Sequence, residues 1–127
     1  MLETLVKLNN INYRRVKMLI DRQSAGKIKA LAYITGVYLG DGCVVRIPSS
    51  YSVNFRLNTI DYDFAETTNN SIFEIIGRKA KHIYVYKVKK GSKPNCSLSI
   101  GSKDLCNFLE EETNHKNKIP DYVYRYN

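Results

Sequence analysis

A single carboxylate, Asp41, follows an apolar segment that contains two glycines, and this combination indicates a site for a bound cation. The segment from Leu31 to Gly42 reads LAYITGVYLGDG, and its apolar residues recur at helical spacing. Asp41 then falls in the last helical turn, where the helix dipole disfavours a carboxylate. A bound divalent cation reverses that preference, because it neutralises Asp41 and accepts helix-terminal carbonyl oxygens, such as that of Gly40, as ligands. The segment therefore predicts a metal site, with Gly42 as the left-handed helix cap.

The glycines inside this predicted helix need a compensating role. Each costs about 1 kcal/mol relative to alanine in a helix interior. Ala32, Gly36 and Gly40 recur every four residues and form a smooth stripe on one helix face. A second helix can approach such a stripe closely. We therefore expect Ala32, Gly36 and Gly40 to form a helix–helix interface.

Residues 34 to 42 resemble a known motif. Their sequence, ITGVYLGDG, is similar to the nine-residue LAGLIDADG motif of homing endonucleases, with the Gly-x-x-x-Gly-Asp-Gly skeleton intact. Leu39 and Gly40 replace the acidic residue and the alanine of the motif's name. The resemblance implies a site-specific double-strand DNA endonuclease in which Asp41 holds Mg²⁺, or another divalent cation such as Mn²⁺, for phosphodiester hydrolysis.

Composition limits the partner class. The 127 residues predict one domain, and 20 basic against 12 acidic residues give a formal charge of +8, which suits a polyanion such as DNA. No apolar run is long enough for a membrane span and no signal peptide is evident, so we expect an intracellular protein, cytoplasmic or organellar. We expect no small-molecule substrate. The three cysteines match no disulfide or zinc pattern and are expected to be buried.

Residues 1–29 form a basic extension, with a short helix predicted from about Asn12 to Gln23. Ser24, Ala25 and Gly26 predict a break before the motif helix. The extension is either an arm that binds phosphate or a packing helix with a solvated basic face.

Two hairpins are predicted after the motif helix. In the first, strands over 43–47 and 51–58 alternate between apolar and polar residues around a turn at Pro48. The second comprises about 81–90 and 95–100, and the inward set of its first strand is either Ile83 and Val85 or Tyr84 and Tyr86. Arginine and asparagine on a two-stranded ribbon match base edges in the major groove, although a polar face without a task remains the alternative. The predicted DNA contacts are Arg46, Ser52, Asn54, Arg56, Asn58, Ser97 and Ser99, with Lys87, Lys89, Lys90 and Lys93 on phosphates.

Two further helices complete the pattern. One is capped by Asp61 and ends at Gly77, and the other follows the cap Ser102. The order over 30–112 matches the αββαββα plan of the LAGLIDADG fold, an α+β fold whose four-stranded antiparallel sheet forms a saddle on DNA. Residues 113–127 are expected to be a polar tail or linker without regular structure around Pro120.

The resemblance implies two more active-site residues and a partner. Lys103 occupies the place of the family's active-site lysine, and Thr59 falls where members often order water; a surface lysine and an ordinary strand-end threonine are the alternatives. A single Asp41 is insufficient for catalysis, so the chain requires a homodimer or a missing second half. Lys118, Ile119 and Pro120 resemble the linker before a second motif.

Two other functions remain open at this stage. A non-cleaving member of the same fold, either an RNA-splicing maturase or a DNA-binding regulator, would keep the basic face and lack nuclease activity. The other is a basic dimerisation module without a nucleic-acid role. Any nucleic acid that such a module retained in a filter-binding assay would be held with little dependence on salt concentration.

Overall fold

A computed structural model describes residues 24–87 and 89–126 as an α+β domain with a four-stranded antiparallel sheet. The strands lie in the order β1-β2-β4-β3, and the described residues also form four α-helices. The helices are α1 (Ser24–Gly40), α2 (Tyr62–Ile76), α3 (Lys103–Glu112) and α4 (Asp121–Tyr126). The strands are β1 (Gly42–Ile47), β2 (Ser52–Thr59), β3 (Tyr84–Tyr86) and β4 (Asn95–Gly101), with a short 3-10 helix at Pro48–Ser50 between β1 and β2.

Strand register separates the two faces of the sheet. Phe55 and Leu57 of β2 are fully buried and pair with Ile100 and Leu98 of β4, which are also buried. Facing residues of antiparallel strands lie on the same side of a sheet, so these pairs define the side that the helices cover. The opposite side, which we call the open face, carries the polar residues of β2 and β4. The alternation predicted for both strands is confirmed.

The helix caps follow the sequence signals. The Asp61 carboxylate accepts a hydrogen bond from the Phe64 amide at 3.1 Å, and Gly77 ends α2 at φ 75°. Ser102 Oγ accepts from the Leu105 amide at 3.3 Å at the start of α3. Both helices bury their apolar sides, which include the fully buried Ile72. The predicted order of helices and hairpins is therefore confirmed over 30–112.

Gly42 has a role different from the one predicted. It lies at the start of β1, and its φ angle is not positive, so it is not a left-handed cap. A Cβ placed there would lie 3.0 Å from the Phe55 ring and 3.1 Å from the Tyr38 Cα. Glycine is needed because the ring of Phe55 packs directly on the backbone where α1 passes into the sheet.

Replacing Gly42 with alanine will destabilise the fold by about 1–3 kcal/mol, the usual cost of inserting a methyl group into a packed core. Phe55 is fully buried, so its ring has no free space to enter. Gly40→Ala is the matched control, because no atom of the described residues outside the local helix backbone lies within 4 Å of the added Cβ. Urea unfolding measures both variants, and equal stability of the two would contradict this packing role.

Several sequence expectations are corrected at the ends of the chain. The predicted break at 24–26 and the boundary at 29/30 both fall within α1, while the predicted helix at 12–23 lies outside the described residues. The tail contains α4, which begins directly after Pro120. Tyr122 of α4 is 2% exposed, and its hydroxyl lies 3.4 Å from Thr35 Oγ1 of α1. The tail therefore contributes to the core.

The second hairpin and the cysteines also differ from expectation. Its first strand is limited to Tyr84–Tyr86, and both tyrosine rings lie on the open face because they pair with Ser97 and Asn95. Cys96 and Cys106 are buried as expected, but Cys43 is exposed. Cys43 pairs with Arg56 in the register and therefore lies on the open face.

Candidate carboxylate site and nucleic-acid interface

Asp41 lies where α1 ends and β1 begins. Its side chain is exposed and makes no hydrogen bond or ion pair within the described part of the chain. The following residue, Gly42, pairs with Leu57, so Asp41 lies at the end of the sheet that carries Asn58 and Ser97. The carboxylate is therefore accessible from solvent beside the polar sheet surface.

An open apolar groove runs along α1 to this carboxylate. It is lined by Tyr33, Gly36, Val37, Gly40, Asp41 and Phe64. Gly40 is exposed and Gly36 is half-buried, so this part of the predicted interface stripe is accessible. Ala32 is 0% exposed within the chain's own core, and the prediction that it forms an intermolecular interface is wrong.

Lys116 is the cation that the structure brings to this site. Its Nζ donates to the Gly42 carbonyl oxygen at 2.5 Å and lies 4.8 Å from the centre of the Tyr38 ring. Burial, followed by the charge of Glu110, raises the pKa of Tyr38, so the ring that meets Lys116 carries a neutral hydroxyl. A cation near the carboxyl end of α1 also opposes the negative end of the helix dipole.

A left-handed turn after α3 positions Lys116. Asn114, His115 and Lys116 have φ values of 46°, 53° and 72°. Each non-glycine residue in this conformation costs about 1 kcal/mol, somewhat less for asparagine. The Lys116 amide donates to Thr113 Oγ1 at 3.1 Å, which anchors the turn. Neither the motif resemblance nor hydropathy patterning signals Lys116, because its position depends on this backbone conformation.

Lys103 does not belong to the Asp41 site. Gly42 pairs with Leu57, whereas Gly101, two residues before Lys103, pairs with Asn54. Leu57 and Asn54 are three residues apart along β2, which is about 10 Å. Asp41 lies beyond the Leu57 end of this interval and Lys103 lies beyond the Asn54 end, so the two residues are further apart than their strand neighbours. Lys103 is exposed at the start of α3, at the opposite end of the sheet from Asp41.

Thr59 lies at the same end of the sheet as Asp41, but its hydroxyl has a local structural role. Its Oγ1 accepts a hydrogen bond from the Asp61 amide at 3.1 Å. It pairs with the buried Cys96, so it points to the side that the helices cover. This contact explains a threonine before the α2 cap without an active-site role.

The open face holds most of the predicted nucleic-acid contacts. They are Ser52, Asn54, Arg56, Asn58, Ser97 and Ser99, as the register of β2 with β4 requires. Arg56 is half-buried and makes no hydrogen bond or ion pair with the described residues. Lys87, Lys89, Lys90 and Lys93 are exposed around the turn before β4. This turn lies at the end of the sheet near Asp41, because β4 begins there.

Arg46 lies on the other side of the sheet. It forms an ion pair with Glu110 of α3 and donates to Asn107 Oδ1 at 3.1 Å. Its cross-strand partner is Val53, whereas Arg56 lies opposite Cys43. The prediction that Arg46 contacts DNA is therefore wrong, because its guanidinium serves to attach α3 to β1.

The two arginines give a matched test of the open face. If the open face binds duplex DNA as the sequence predicts, Arg56→Ala will weaken that binding about tenfold, since one arginine contact contributes on the order of 1–3 kcal/mol. Arg46→Ala will leave binding within twofold and lower the unfolding free energy by at most about 1 kcal/mol, the usual range for an exposed pair. Fluorescence anisotropy with a labelled duplex at fixed salt measures both. A larger binding loss for Arg46→Ala would reverse the assignment of faces.

The described residues contain no complete metal-binding group. Within the described ranges, no three His, Cys, Asp or Glu side chains lie close enough together to hold a metal ion. Asp41 and the Gly40 carbonyl therefore fit at most half of a carboxylate-held cation site. A carboxylate-held cation at Asp41 would need a second carboxylate from another copy or another segment. None of the described helices has the length and apolar character needed to cross a membrane.

Comparison with known proteins supplies one relative of undetermined activity. The chain is 30% identical over 91 residues to an uncharacterized protein of Methanocaldococcus jannaschii. The match covers 72% of this chain and 32% of the relative, so the chain spans about a third of that protein's length. No family model and no solved structure matches the chain.

Proposed function

We propose that this chain is one half of a divalent-metal-dependent DNA endonuclease of the LAGLIDADG type, with two Asp41 carboxylates at the active site. The observation that carries the proposal is the accessible Asp41 carboxylate at the end of a helix whose adjacent surface, at Gly36 and Gly40, is open. The αββαββα order and the ITGVYLGDG sequence support the same interpretation.

The partner in this proposal is double-stranded DNA on the open face. Its donors and acceptors span two central strands, and its lysines lie at the Asp41 end. Arginine and asparagine are suited to guanine and adenine edges, while lysines position the phosphate backbone. The formal charge of +8 favours the association and makes it weaken steeply with salt.

The second carboxylate is proposed to come from an identical chain. Two α1 helices in contact along Gly36 and Gly40 would bring their carboxyl ends together, and with them the two Asp41 side chains. An isologous contact also doubles the open face, which suits a near-palindromic DNA site. A second unit within a longer chain would serve the same purpose, and the solution mass distinguishes the two arrangements.

Each residue then has a defined task. Asp41 and the Gly40 carbonyl would hold Mg²⁺ or Mn²⁺, which when bound activates water and stabilises charge on the phosphate and the leaving oxygen. Lys116 holds the backbone at Gly42 and adds positive charge beside the developing phosphorane charge. Arg56 and Asn58 orient the duplex on the open face.

Nicking of supercoiled plasmid is the direct test. We expect cleavage with Mg²⁺ or Mn²⁺, none with EDTA, and binding in both conditions that weakens as salt rises. Metal-independent cleavage would contradict the role of Asp41. Salt-sensitive binding without cleavage, on plasmids that carry randomised sites, would favour a non-cleaving member of the same fold.

Lys116 makes a separate prediction. Lys116→Met will lower the cleavage rate about a hundredfold, the scale for loss of one stabilising donor, and will change duplex affinity by less than threefold. Lys118→Met is the control, because this exposed side chain lies two residues further along the same turn. Single-turnover kinetics separate the chemical step from binding, and equal rates for the two variants would show that Lys116 only stabilises the fold.

A further inference from the structure

Two tyrosine rings on β3 form a feature that duplex cleavage does not use. Tyr84 is 67% exposed and Tyr86 is 45% exposed, although both lie within a paired strand. Their cross-strand neighbours are Ser97 and Asn95, which are too small to cover an aromatic ring. Among the described strands, β3 is at the edge of the sheet, so no further strand covers the rings from the other side.

Geometry and charge indicate what the rings can bind. Side chains two residues apart on one strand are about 7 Å apart, which is roughly twice the 3.4 Å thickness of a stacked base. The His82 ring lies 6.2 Å from that of Tyr84 and extends the aromatic row. Lys87 follows Tyr86 directly, and the turn beyond it carries three more exposed lysines. Aromatic rings beside positive charge are the elements of a site that stacks bases and holds their phosphates.

We propose that Tyr84 and Tyr86 bind an unpaired base of a nucleic acid by stacking. In an intact duplex the flat faces of the bases are covered by neighbouring pairs, so exposed rings gain stacking energy only from bases that are single-stranded or extruded. The ligand class is single-stranded DNA or RNA. The proposal goes beyond cleavage of duplex DNA and requires neither Asp41 nor a metal.

A tryptophan substitution tests the stacking directly, since the natural sequence contains no tryptophan. Tyr84→Trp introduces one fluorophore on β3, and Tyr124→Trp places the control on α4, where residue 124 is 71% exposed. In EDTA and at fixed salt, we expect a short oligo(dT) or oligo(U) to quench the fluorescence of the Tyr84→Trp variant but not that of the Tyr124→Trp variant. A blunt duplex of the same length, which leaves no base face free for stacking, should quench the Tyr84→Trp variant less than the single strand does. The two oligonucleotides distinguish DNA from RNA, and equal quenching of the Tyr84→Trp variant by duplex and single strand would overturn the proposal.

Affinity measurements provide the second readout. Tyr84→Ala and Tyr86→Ala are each expected to weaken binding of the preferred single strand about tenfold, while the phenylalanine variants retain it. In the two alanine variants, duplex affinity should fall less than single-strand affinity does. Wild-type affinity in the double alanine variant would refute stacking. Because these assays need no metal, failure of stacking and failure of nicking are separate outcomes.

Discussion

We expect Asp41→Asn to abolish the proposed cleavage and to leave duplex binding within about threefold of the native chain. Asparagine keeps the size of the side chain but loses the charge that holds a divalent cation. The lost stabilisation of transition-state charge is several kcal/mol, which corresponds to at least about a thousandfold in rate. Plasmid nicking and anisotropy with a labelled duplex measure the two quantities side by side.

Asp41→Asn should have little effect on the stability of the fold. Asp41 is exposed and makes no hydrogen bond or ion pair with the described residues, so the unfolding free energy should change by less than about 0.5 kcal/mol. Asp63→Asn is the matched control, because Asp63 is an exposed carboxylate on α2. Cleavage that survives Asp41→Asn, or falls equally in both variants, would remove Asp41 from the active site.

Gly40→Leu separates folding from association. Among the described residues, no atom outside the local helix backbone lies within 4 Å of a Cβ added at Gly40, so this part of the chain accepts a larger side chain there. A partner helix packed against the same surface does not, because small residues are what permit close approach. We expect the variant to remain folded, to lose the dimer in solution mass, and to lose cleavage at least a hundredfold.

The choice of control decides what this loss means. Glu74→Leu adds the same side chain at an exposed position of α2, outside the groove of α1. It should keep both the dimer and the cleavage activity. A native chain that remains monomeric at micromolar concentration with and without duplex DNA would contradict the pairing of two identical chains through α1.

The central part of the fold was predictable because its signals are local. Asp61, Gly77 and Ser102 occupy caps that their side chains or backbone preferences specify. The polar alternation of β2 placed Asn54 and Arg56 together because a strand has a period of two. Position along one element followed directly from residue type in these cases.

The errors arose where distant segments meet. Alternation placed Val44 and Val45 on opposite sides of β1, and only the pairing with β2 shows that Arg46 faces α3. Lys103 was assigned from the family resemblance of the segment after β4, whereas the three left-handed residues that bring Lys116 to Gly42 have no signature in hydropathy. Pro120 was interpreted as a helix breaker, yet a proline is also compatible with the start of a helix.

Because the thiol of Cys43 is exposed, reagents can modify the open face covalently. Burial raises the pKa of the Cys106 thiol to about 12, and Cys96 is also buried, so a mild alkylating or disulfide-forming reagent acts at Cys43 first. Cys43 lies two residues after Asp41 and opposite Arg56. An oligonucleotide that carries an activated disulfide can therefore be captured at Cys43 by thiol–disulfide exchange, with release of the activating thiol, which would give a homogeneous adduct for crystallisation without any engineered cysteine.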